Sequence, residues 1–297
     1  MSISLWRTII AKQSKEFFLF SFPAIAVLLL IAIYPIVVAI ILSLQNVDLR
    51  MPWTREFVGF TNYIRLVSDR RFLNSLKVSL IYATATLSFS ILIGLALAFF
   101  VQEYFKGKLK NIILFLFLLP FVIPRVSVAL MWKFMYSPLL GVYNYFLGRV
   151  GINPIPFLSS PKLALPSIVA VDTWQWCFFI AILIASSMEL IPKAPIEAAR
   201  LDGASKLQVI MYITFPFLKP SLIFIIFIKW VESLRTFDLI FNMTRGGPGI
   251  VTETLDLYVY TQGIASAGEI SYASSMAIVM LIITILIITV ASKWIQK

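Results

Sequence analysis

Residues 78–102 and 271–292 contain no charged residue. Each stretch exceeds the roughly 20 apolar residues that carry a helix across a bilayer. In hydrocarbon the backbone must satisfy its own polar groups, so chains built from such stretches cross as helices. Of the 297 residues, 60% are hydrophobic and 13% are charged, against about 45–50% apolar and about 25% charged in soluble domains. The expected fold class is an all-α integral membrane protein.

Six crossing helices are expected, at about 17–43, 77–101, 111–135, 163–188, 217–241 and 271–293. The first apolar run is too long for a signal-peptide core and reads as a retained span. The third run is punctuated by Pro120, Pro124 and Arg125, and the fifth carries Lys229, Glu232, Arg235 and Asp238. Within a membrane such residues survive mainly where neighbouring helices or a wet cavity satisfy them.

The net charge of +11 would suit nucleic acid, but the basic residues are dispersed at the ends of apolar runs. That placement reads as topology and contact with membrane lipid, and no nucleic-acid partner is expected. The single cysteine, Cys177, and the absence of histidine exclude an intramolecular disulfide and argue against a dedicated zinc site. Arg7, Lys12 and Lys15 precede the first span, Lys106, Lys108 and Lys110 fill the second connection, and Lys193, Arg200 and Lys206 lie in the fourth. With Lys293 and Lys297 they fall on one side of six crossings, which places both termini in the cytoplasm of a multi-pass cell-membrane protein. Arg50, Arg55, Arg65, Arg70 and Arg71 in the first connection run against this assignment. Asp48, Glu56 and Asp69 neutralise them in part. That connection mixes polar and aromatic residues and is expected to pack on the outer membrane surface.

The fourth connection reads as two short helices. Pro195 suits a first helical turn and Glu197 is favourable near a helix N-terminus. Gly203 allows a bend, and Ser205 with Gln208 has capping-box spacing. Ala198, Ala199 and Ala204 would let another protein approach closely; the competing reading is a solvated loop whose small residues have no partner.

Here Glu197, Ala198, Ala199, Asp202, Gly203 and Ala204, followed by Ile213 and Pro216, resemble the EAA loop of binding-protein-dependent ABC importer permeases. Phe215 replaces the usual leucine, and Ile210 stands where phenylalanine is common. The resemblance implies a type I importer permease fold whose cytoplasmic coupling helix docks on an ATPase. Thr244, Gly246, Gly247, Pro248 and Thr252, with Gly268 and Ala273 beyond, resemble the closing segment of the carbohydrate-type permeases. It also implies a second, different permease subunit, two ATPase subunits and an extracytoplasmic solute-binding protein, with a sugar as substrate. The chain has no G-x-x-x-x-G-K-S/T phosphate loop, so ATP and Mg are assigned to the ATPase subunits, with no cofactor and no catalytic activity in this chain. Residues 1–71 would form an N-terminal segment, first span and external loop. Residues 72–293 would form the permease domain, with the coupling loop at about 192–216.

For the substrate path the candidates are Trp174, Gln175, Glu232, Arg235, Asp238 and Asn242, because a sugar needs a few placed polar groups and aromatic faces. Glu232 with Arg235, and Asp238 with Asn242, have the spacing of helix neighbours. These charges also fit a role pinning two permease subunits together, or a place near the membrane boundary. Trp174, with the neighbouring Trp176, also fits an interfacial aromatic belt. Arg125, directly after Pro124, fits either a break in the third helix near the cavity or a side chain that snorkels to the interface. A polyol or glycerol phosphate remains an alternative solute. An ion-driven secondary transporter is a more distant alternative, kept open by the acidic residues of the fifth span.

Overall fold

The computed structural model describes the backbone of residues 3–266 and 268–295, and the side chains of 20–51, 53–266, 268–287 and 289. The basic residues Arg7, Lys12, Lys15, Lys293 and Lys297, which carry part of the orientation argument, lie outside the described side chains.

The element order is α1 (Ile3–Ser43), β1 (Gln45–Asp48), β2 (Met51–Phe57), α2 (Thr61–Ser68), α3 (Arg70–Tyr104), α4 (Gly107–Val122), α5 (Arg125–Met135) and α6 (Val142–Arg149). It continues with α7 (Ala164–Glu189), α8 (Lys193–Leu201), α9 (Lys206–Val209), α10 (Phe215–Leu234), α11 (Phe237–Met243), α12 (Leu255–Tyr260) and α13 (Ile270–Ile295). Two π-helical turns, Ile210–Thr214 and Thr261–Ala265, interrupt the series. Among the described residues, five helical stretches are long and apolar enough to cross a membrane, and α4 with α5 supplies a sixth if the bent pair is one span.

Two expected spans are corrected by the chain's own breakers. The run expected at 111–135 is not straight: α4 and α5 meet at 88°. Pro124 has no N–H to donate, and Ile123 before it is extended (φ −67°, ψ 128°). Gln175 repairs the break by donating its amide to the carbonyls of Ile123 at 2.9 Å and Pro120 at 3.4 Å. The span expected at 217–241 ends instead at Leu234, and α11 is a separate helix after Arg235 and Thr236.

The first connection holds an antiparallel two-stranded sheet that pairs Gln45 with Phe57 and Asn46 with Glu56. The chain divides into two units, residues 1–65 with 262–279, and residues 66–261 with 280–297. In the first, the hairpin is stitched to the start of α13: Leu49 N–H donates to Gly268 O at 2.8 Å and Val47 N–H to Ser271 Oγ at 3.0 Å.

In the second unit α3 and α7 pack closely at Gly94. A Cβ there would sit 2.6 Å from Ile180 Cγ2 and 3.0 Å from the Cys177 carbonyl oxygen, so only glycine lets the backbones approach. Two apolar clusters form along α7. One gathers Tyr82, Trp132, Ile168, Leu239 and Ile240, and the other Ala98, Trp176, Ile180, Ile184 and Ile225. Asp172 falls between them in the sequence of α7.

The arginine-rich first connection is more neutral than its sequence suggests. Arg50 pairs with Asp48, Arg65 with Glu269 at 2.9 Å, and Arg71 with Glu253 at 2.7 Å. Two of those carboxylates come from far along the chain. Glu56 takes part in none of these pairs.

Candidate functional site: a docking elbow and a buried ion cluster

The elbow is built from two local signals placed back to back. α8 ends with Asp202 as its C-cap, and Gly203 follows at φ +83°. Ala204 N–H donates to Ala199 O at 2.9 Å and Gly203 N–H to Arg200 O at 3.1 Å. This six-to-one and five-to-two pattern is the Schellman stop, which requires a left-handed residue where glycine stands. One residue later Ser205 opens α9. Its hydroxyl accepts from Gln208 N–H at 3.3 Å, and the Gln208 side chain accepts from Ser205 N–H at 2.7 Å. The capping box predicted from spacing is formed.

The joint from elbow to span is a π turn. Phe215 N–H bonds Ile210 O, and Pro216, lacking an N–H, cannot continue the ordinary ladder. Lys206 on α9 pairs with Glu103 near the end of α3 at 2.6 Å. Lys110 on α4, itself buried, bonds Glu189 at the end of α7 at 2.6 Å.

No residue of α8 is buried. Glu197, Ala198, Asp202 and Gly203 are exposed, and Ala199 and Ala204 are half-buried. Leu201 is 89% exposed and Tyr212 is 78% exposed. A hollow of about 350 Å³ is lined by Ala199, Asp202, Gly203, Ala204, Gln208 and Tyr212, among others. The elbow is thus capped on both sides of Gly203 and turns apolar side chains and small residues outward.

Deeper in the same unit lies a cluster of ions. The Asp172 carboxylate, with no exposed surface, accepts from Arg125 Nη2 at 2.7 Å and from Lys229 Nζ. Lys229 is equally buried, and its ammonium lies 4.6 Å from the centre of the Trp176 ring. Arg125 Nη1 is 3.7 Å from Glu232 Oε1 and donates to Thr236 Oγ1 at 3.4 Å; Thr236 in turn donates to Tyr82 OH at 3.1 Å. Two cations and two carboxylates make the cluster neutral, which is the condition for holding charge at this depth. Arg125 therefore does not snorkel: its side chain is 16% exposed and turns inward to Asp172.

The proposed path residues fall into two groups. Gln175 is buried and committed to the α4–α5 break. Trp174 packs edge-on against Trp132 at 5.4 Å and borders an apolar groove of about 620 Å³ with Ile81, Ala85 and Phe89. Its neighbour Trp176 is core, edge-on to Phe121, and not part of a belt. Glu232, Arg235, Asp238 and Asn242 lie where α10 gives way to α11, with Arg235 and Asp238 exposed. Glu232 and Arg235 make no ion pair among the described residues, because α10 ends between them and Glu232 turns to Arg125. Asn242 donates to the Asp238 carbonyl at 2.8 Å, and Lys133 donates to the Asn242 carbonyl at 3.0 Å. Burial pushes the Asp256 carboxyl on α12 up to about 6, against the pull of Arg235. The link among Arg125, Asp172 and Lys229 was not foreseen, although an ionisable residue in each of three apolar runs was the available signal.

Several helices long and apolar enough to cross a membrane, one proline-broken helix pair and an exposed elbow between two of the spans describe a multi-pass membrane protein. A family model described as binding-protein-dependent transport system inner membrane component matches residues 59–297. The chain belongs to that family. It is 35% identical over 82% of its length to a probable ABC transporter permease of Sinorhizobium fredii, spanning 78% of that protein. It is 30% identical over 92% of its length to the trehalose/maltose transport system permease protein MalF of Thermococcus litoralis, spanning 91% of that protein. Its fold matches a chain of a bacterial ABC transporter involved in import of the acidic polysaccharide alginate, with TM-score 0.82, 23% identity and coverage of 99% and 98% of the two chains.

Proposed function

We propose that this chain is one permease subunit of an ATP-driven sugar importer working by alternating access. The observation that carries the reading is the elbow at Glu197–Ala204, a capped and largely exposed turn between two spans. In this reading its Ala198, Ala199 and Gly203 admit the surface of a cytoplasmic ATPase subunit, while Glu197 and Asp202 supply polar contacts at the rim. ATP and Mg are bound and turned over there, and the elbow passes the movement through the π turn into α10. The assembly contains a second, different permease chain, two ATPase subunits and an extracytoplasmic solute-binding protein. Both termini lie in the cytoplasm.

Glu232, Arg235, Asp238 and Asn242 belong to the translocation path. Exposed charges among apolar helices are costly against lipid, so this face meets water or the second permease. Trp174 and Gln175 stand behind it, shaping the path through packing and through the α4–α5 break. The sugar class is supported by relatives named for trehalose/maltose and arabinooligosaccharides. A relative named for sn-glycerol-3-phosphate, 29% identical over 82% of this chain, favours a glycerol phosphate as the second reading.

The test is reconstitution of the co-purified complex in vesicles. Uptake of sugar should require ATP, the ATPase subunits and the binding protein together. Uptake by this chain alone, driven by an ion gradient, overturns the proposal; selective uptake of a glycerol phosphate moves it to the second reading.

A further inference from the structure

The hairpin and the start of α2 carry apolar rows that no described residue of their own unit covers. Along β2 the side chains alternate, so Met51, Trp53, Arg55 and Phe57 share one face and Thr54 and Glu56 the other. Met51 and Phe57 are exposed, and Trp53 is 77% exposed. At the start of α2, Phe60 and Ile64 stand one helical turn apart and both are 71% exposed. Arg55 is exposed and belongs to no ion pair among the described residues, whereas Arg50 is held by Asp48.

The segment is tied by hydrogen bonds to the ends of two long apolar helices. Asn62 Nδ2 donates to the carbonyls of Ser43 and Gln45, each at 2.9 Å, and Ser43 Oγ shares a 2.7 Å hydrogen bond with Tyr63 OH. Ser43 is the last residue of α1. The other side of the hairpin is bonded to Ser271, at the first turn of α13. The hairpin is thus held at the end of one apolar helix long enough to span, Phe20–Ser43, and at the start of another, which begins at Ile270.

Tryptophan and phenylalanine beside an unpaired arginine form the composition that settles in the headgroup layer. We propose that residues 45–65 are a lipid-binding collar. Trp53, Phe57, Phe60 and Ile64 enter the acyl boundary of one leaflet, and Arg55 binds the phosphodiester of an anionic phospholipid. This does not depend on which solute is carried.

The experiment uses the assembled importer in lipid nanodiscs, in a Cys177→Ala background, with an environment-sensitive dye on Trp53→Cys or Ile64→Cys. Both labels should be quenched by lipid brominated near the carbonyl end of its acyl chain and should lose most quenching by aqueous iodide. A label on Glu56→Cys, from the opposite face of β2, should remain open to iodide. Anionic lipid should compete with zwitterionic lipid by about fivefold, and Arg55→Ser should abolish that preference. Labels at 53 and 64 that iodide reaches and brominated lipid does not would overturn the proposal. Shielding that appears only on adding the solute-binding protein also overturns it, and assigns the surface to a protein. Equal shielding of position 56 overturns it as well, since an interfacial segment has two unlike sides.

Discussion

Asp172 and Lys229, 57 positions apart, meet as an ion pair with neither side chain exposed. Arg125 holds the other carboxylate oxygen at 2.7 Å. One carboxylate therefore ties together α5, α7 and α10, and anchors the first residue after the Pro124 break. A charge at this depth is tolerable only while its partners remain, so the cluster acts as one unit.

Replacing Asp172 with alanine strands Lys229 and leaves Arg125 with the more distant Glu232 carboxylate and the Thr236 hydroxyl. The expected loss is about 3–5 kcal/mol, the usual consequence of breaking a buried pair. Replacing both members, Asp172→Leu with Lys229→Met, should recover much of that loss. Thermal unfolding of the detergent-solubilised complex measures the difference; equal damage in the single and double variants would contradict the pairing.

Gly203 sits at φ +83° with open space around its Cβ position. The effect of Gly203→Val is therefore backbone strain rather than collision, about 1–2 kcal/mol. The elbow should relax away from its Schellman geometry, and co-purification of the ATPase should fall while membrane insertion survives. Gly203→Asn, which tolerates left-handed angles, should be milder. Retention of ATPase by the valine variant would separate the elbow from docking.

At Gly94 the effect is steric. A side chain there collides with Ile180 and with the backbone of α7, so Gly94→Val should destabilise by about 1–3 kcal/mol. Adding Ile180→Ala should relieve part of this, though the Cys177 carbonyl remains 3.0 Å away. Melting temperatures of the single and double variants provide the comparison.

Asp256 gives the protein a pH dependence of definite sign. Its carboxyl rises from 3.8 to about 6 on folding, so between those values the folded state binds more protons than the unfolded one. Stability is greatest below this window, falls as pH rises through it and levels above about 6, a change of about 2 kcal/mol after allowing for partial exposure. Asp256→Asn should lose this component. The measurement is melting temperature against pH for the two proteins, and parallel curves would refute the assignment.

The elbow was legible residue by residue because both of its signals are local. A glycine four residues after Ala199 and a serine three before Gln208 specify a stop and a start without help from the rest of the chain. The break at Pro124 was also visible as a proline, but its angle was not, because the carbonyls it frees are satisfied by Gln175 from another helix. Arg125 is ambiguous in the sequence for a related reason: sequence shows a charge at a helix start, and only packing shows the carboxylate that awaits it. Glu232 and Arg235 have helical spacing, yet the helix ends between them.

The presence of apolar runs long enough to cross, the stop and start of the elbow at Gly203 and Ser205, and the absence of a phosphate loop in this chain were determined by sequence alone. Their causes are hydrophobic length and short-range hydrogen bonding, which act within a few residues. Tertiary structure alone decided the charge partners: Asp172 with Arg125 and Lys229, Arg71 with Glu253, and Arg65 with Glu269. Coulombic pairing at depth depends on which distant segments share a small volume, and spacing along the chain carries no record of that.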